Sequence, residues 1–195
     1  MEQGRDDEAE THFEIALDYA TDTNPSQHST APDNLTILAY ERGNYELALE
    51  MGTTLLGERG VSGPRAAMSL RAIVGLSGLE LGDLPRCRES ERELQILLEK
   101  HERYSNDMSY VHIFLARMTA LRGEHETAIQ LLDEAARHYR RLNYLVSARL
   151  QLEKFRFQVR TAVDCIKSLE ALQGELAGTG AVPLIDRANQ LLARG

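Results

Sequence analysis

The run Leu38-Ala39-Tyr40-Glu41-Arg42-Gly43-Asn44-Tyr45-Glu46-Leu47-Ala48-Leu49 decides the fold. It reads as the close of one helix, a tight turn at Gly43 and the opening of a second helix that packs back on the first. Glycine at that point supplies the left-handed backbone conformation that a helix exit commonly takes. Ala48, five residues on, is small enough to let two helix backbones approach closely.

Working outward, the same pattern recurs. Gly4, Gly43, Gly82 and Gly123 are separated by 39, 39 and 41 residues, and five residues after each stands a small side chain: Ala9, Ala48, Cys87 and Ala128. Seven residues before the last three glycines are Thr36, Gly75 and Ala116, also small, each preceded by an apolar residue: Leu35, Val74 and Leu115. Small residues at matched heights on antiparallel helices let them cross closely, and the apolar neighbours fill the seam. The spacing therefore predicts a hairpin of about forty residues copied along the chain.

These residues resemble the tetratricopeptide repeat family, in a variant longer than the family's usual unit. Arg42-Gly43-Asn44-Tyr45-Glu46-Leu47-Ala48-Leu49-Glu50 carries the likeness best, with Gln3-Gly4-Arg5-Asp6-Asp7-Glu8-Ala9 followed by Phe13, Ala16 and Leu17, and the run from Gly123 to Ala136. The copy at Gly82 departs from the pattern, with Glu91 and Leu94 where the family has an aromatic residue and alanine. The resemblance implies an all-α fold, a right-handed superhelix of antiparallel hairpins. On this reading residues 1–22 form half a repeat, followed by repeats at about 30–60, 64–101, 106–141 and 144–176 and a capping helix at 183–193. Ser105-Asn106-Asp107 reads as a helix start. In the last repeat Cys165, Leu169 and Leu172 fill the small and apolar positions, and without a turn glycine its two halves could also form one long helix. The absent first helix before Gly4 suggests a fragment of a longer protein.

Composition agrees with the helical class and narrows the job. Ala, Leu, Glu and Arg dominate. The formal charge is −8, yet residues 1–60 hold 3 Lys and Arg against 13 Asp and Glu, a balance that repels phosphate backbones, so direct nucleic-acid binding is not expected. No apolar run reaches membrane-spanning length. Cys87 and Cys165 are 78 residues apart, two repeats, too far to be bridged in a stack. Free thiols suit a reducing compartment, and the cytoplasm is the expected location.

Catalytic and metal motifs do not emerge. His125-Glu126 is followed four residues after the histidine by Ile129 instead of a second histidine, and two distant cysteines with six scattered histidines give no zinc spacing. Neighbouring carboxylates such as Asp133 and Glu134 read as a solvated helix face. The expectation is a non-enzyme without a cofactor.

The resemblance implies that the first helix of each hairpin lines a concave groove. Counted from the turn glycines, the groove positions are Asn34, Ile37 and Tyr40, then Ile73, Leu76 and Leu79, then Tyr110, Phe114 and Arg117, with Lys154 from the next repeat. Such a face is more apolar than a solvated one, and each buried apolar side chain is worth about 1.5–3 kcal/mol. The implied occupant is a peptide or partner helix. The same positions could instead be core, because a longer repeat can shift the register by one residue. The carboxylate clamp of chaperone-binding members is not expected: Asn34 is in place, but Ser69 and Ile73 stand where basic residues are needed. Two further readings are a ligand- or peptide-sensing domain of a larger bacterial transcription regulator, and a homodimer formed through the stack's ends.

Overall fold

Nine α-helices and no strand make up the described part of the structure, a computed structural model that describes residue 11 and residues 30–57, 63–101, 108–158 and 163–193. The helices are α1 (Thr30–Glu41), α2 (Tyr45–Gly57), α3 (Pro64–Leu81), α4 (Leu84–Lys100), α5 (Ser109–Leu121), α6 (His125–Tyr139), α7 (Tyr144–Phe155), α8 (Val163–Ala177) and α9 (Val182–Leu192). Gly4 and Ala9 of the expected half repeat, the helix start at Ser105-Asn106-Asp107 and the Cys165 side chain lie outside the described residues. None of the described helices is long and apolar enough to cross a membrane.

Three of the connections are built alike. Gly43, Gly82 and Gly123 take φ of 79°, 75° and 86°, in the left-handed region. Each glycine N–H donates to the carbonyl three residues back: Gly43 to Tyr40 at 2.9 Å, Gly82 to Leu79 at 3.4 Å and Gly123 to Ala120 at 2.9 Å. Each following N–H donates five residues back: Asn44 to Ala39 at 2.9 Å, Asp83 to Gly78 at 2.8 Å and Glu124 to Thr119 at 3.3 Å. This pair of bonds satisfies the last carbonyls of the first helix. The small residue five places on then opens the second helix, the N–H groups of Ala48, Cys87 and Ala128 donating to Asn44, Asp83 and Glu124 at 2.9, 3.1 and 3.0 Å. All three small side chains are fully buried.

The described residues fall into two compact units, one within Asp6–Phe114 and one within Leu115–Gly195, so that the division runs through α5. In the first, α3 is the centre: α1, α2 and α4 all pack against it. Close approach depends on absent side chains. A Cβ on Gly52 of α2 would lie 2.6 Å from Cγ2 of Val74 and 3.5 Å from Cγ2 of Thr36, so α2 touches α1 and α3 at one point. A Cβ on Gly75 would lie 2.4 Å from the Phe114 ring. On α4, Cys87 Sγ donates to the Asp83 and Gly75 carbonyls, at 3.0 and 3.4 Å. Burial, then the Asp83 carboxylate, push that thiol up to about 11, so it stays protonated at neutral pH. Asp83 caps α4, accepting from the Arg86 N–H at 3.1 Å, and Pro85 sits in the first turn where its missing N–H costs nothing.

In the second unit α7 packs against α6, α8 and α9, and α8 packs against α9. Asn143 caps α7 by accepting from the N–H groups of Leu145 and Val146 at 3.1 and 3.3 Å. Ser147 then donates to the Ala136 carbonyl of α6 at 2.8 Å, a contact that only a small side chain allows. Among the described residues α7 ends at Phe155, and α8, which begins at Val163, packs against it. Leu169, Leu172 and Leu176 of α8 share a core with Ala148 and Leu152 of α7, and Leu184 and Ala188 of α9 cover it.

Candidate functional site

The expected groove positions divide by burial, and the reason is the number of helices around each. In α3, Met68, Leu70 and every residue from Ala72 to Gly78 are buried. A helix apolar on all sides is a core helix, and this one has α1, α2 and α4 around it, with the Phe114 ring on Gly75. Ile73, Leu76 and Phe114 are therefore fully enclosed and present no surface to a ligand; the core alternative left open by the sequence describes them. Leu79, one turn nearer the C-terminus of α3, is half-buried, as are Asn34 and Ile37 on α1.

Tyr40 and Tyr110 come together with Glu41, which the same count places on the groove, and with Tyr45. The Tyr110 ring is 6.2 Å from that of Tyr40 in an edge-on arrangement, and the Tyr45 ring is 5.6 Å from it, inclined at 53°. The Tyr110 hydroxyl donates to Glu41 Oε1 at 2.7 Å, a charge-assisted bond that fixes α5 to the end of α1. Tyr40 and Tyr110 are 8% and 6% exposed, so both are buried.

In the second unit Arg117 does not face outward. Its Nε and one terminal nitrogen grip both carboxylate oxygens of Glu153, at 2.7 and 3.1 Å. Glu153 is 2% exposed and also accepts from Arg187 of α9 at 2.7 Å and from Arg156 at 3.3 and 3.4 Å. Burial pushes this carboxyl up, but the three guanidinium groups, Arg117 foremost, outweigh it and hold the group at about 2. The arrangement fastens α5, α7 and α9 to one anion. Lys154, the neighbouring groove position, is half-buried and reaches Asp133 of α6 at 2.7 Å.

Glu153 is the residue that sequence reasoning missed. The available signal was its placement on α7, with Arg149 four residues before it and Arg156 three after, between buried Leu152 and Lys154. Among the described residues, no three His, Cys, Asp or Glu side chains form a group that could hold a metal ion. The chain matches no protein-family model, no curated protein and no solved structure.

Proposed function

We propose that this chain is a protein-interaction module of the tetratricopeptide kind, a right-handed stack of hairpins whose first-helix face takes a peptide or partner helix. The observation that carries the reading is the threefold closing turn at Gly43, Gly82 and Gly123, together with the direct packing of successive first helices α1 and α3. A hairpin repeated in this way lays each first helix beside the previous one and so aligns their open sides. The binding surface is narrower than the spacing alone implies: Asn34 and Ile37 of α1 and Leu79 of α3 carry it, with the largely buried Tyr40 near the end of α1. The module works in the cytoplasm, without cofactor or catalysis.

The test is selection of peptides from a random library on the purified chain, followed by affinity measurement on Ile37→Asp and Leu79→Asp. A charge placed in an apolar contact costs several kcal/mol, so each variant loses about tenfold or more in affinity while retaining its helical circular dichroism. Gln95→Asp, on an exposed stretch of α4, leaves affinity unchanged. Peptides that bind all variants equally well would place the interaction elsewhere.

A further inference from the structure

The first unit carries a recess apart from the proposed groove positions. It has a volume of about 360 Å³ and lies between α2, the end of α3 and the start of α4. Leu49 and Leu81 supply apolar surface, Leu81 being 38% exposed, and Thr53 and Thr54 complete the α2 lining. Glu46 and Glu50 line it from α2 and Arg86 from α4.

The charges do not balance. Arg86 is already paired with Glu89 at 3.2 Å. Among the described residues neither Glu46 nor Glu50 has an ion-pair partner. They are four residues apart on one helix face, where like charges repel. Glu46 stands in the first turn of α2, where the helix dipole favours a carboxylate; Glu50, a turn further on, has no such compensation. Two carboxylates without an ion-pair partner among the described residues, beside exposed leucine, form a seat for a long side chain with an apolar stem and a cationic head.

We propose that this recess binds a lysine or arginine side chain of a partner polypeptide, the stem lying on Leu49 and Leu81 and the head between Glu46 and Glu50. The surface belongs mainly to a second helix and is separate from the α1 and α3 positions of the interaction reading, so either can fail without the other.

The experiment titrates the 15N-labelled chain with the blocked peptide acetyl-Ala-Leu-Lys-Leu-Ala-amide and with its counterpart carrying glutamine for lysine. The lysine peptide shifts the amide signals of Glu46, Glu50, Thr53, Leu81 and Arg86, and the glutamine peptide does not. In the double variant E46Q/E50Q, both positions being exposed, the lysine peptide binds at least about threefold more weakly, the range expected of solvent-facing ion pairs. Equal shifts with both peptides, shifts confined to other residues, or a smaller change in the double variant would overturn the assignment.

Discussion

The two units lock their helices by opposite means. Around α3 the device is missing volume: Gly52 and Gly75 let neighbouring atoms come where a methyl group would stand, and a thiol and an aromatic ring fill the joints. Around α7 the device is charge, its Glu153 carboxylate held by Arg117 of α5, Arg187 of α9 and Arg156 just past the end of α7. A seam of small residues tolerates almost no added atom, because contacts at core density have nowhere to move. A buried ion network tolerates changes of shape but not loss of one sign, since the remaining charges are left without water or partner.

The largest expected effect tests the charged seam. Glu153→Gln removes the shared anion and leaves Arg117, whose side chain is 10% exposed, without its counter-ion; urea unfolding should show a loss of about 3–5 kcal/mol. Replacing Arg117 and Glu153 together by Met and Leu should recover much of it, because removing both partners avoids the stranded charge. Acid gives the same reading without mutation. Glu153 titrates at about 2, below its ordinary 4.5, so its stabilisation is complete above pH 4.5 and disappears as pH falls toward 2. Stability of the Glu153→Gln variant should therefore change less over that interval than that of the parent. Equal acid slopes would show that the network does not govern this unit.

The packed seam answers to a single methyl. Gly75→Ala places a carbon 2.4 Å from the Phe114 ring, and overpacking of this kind costs about 1–3 kcal/mol. Pairing it with Phe114→Leu should restore part of the loss if the ring is the obstacle; independent, additive losses would locate the strain in the backbone instead.

What the sequence disclosed follows the range of the forces involved. The turn at Gly82 is written in adjacent residues, because a positive φ and the small Cys87 are demands that the chain meets locally. The enclosure of Ile73 and Leu76 is not local: it depends on α1, α2, α4 and a ring 39 residues beyond Gly75, so the same apolar spacing read equally as groove or core. Arg117 was visible as a charged residue on a first helix, but its partner is 36 residues away, and Arg187 lies a further 34 beyond Glu153. Helical periodicity states which face a residue occupies; it does not state whether another helix covers that face.

The smallest effect concerns what both units share. Gly82 and Gly123 close hairpins in different units, yet both hold the left-handed conformation, and a Cβ at either would meet nothing within 4 Å. Alanine there adds no clash, so the cost is that of the backbone alone, about 1 kcal/mol. Thermal unfolding should give closely similar losses for Gly82→Ala and Gly123→Ala, and smaller ones for the asparagine variants, since asparagine enters this region more readily. That equality is the point of the comparison: the turn is a common part, and the units differ in how the helices beyond it are held. A loss at Gly123 several times that at Gly82 would mean that the second hairpin turn is bound up with the charged seam and is not the same device.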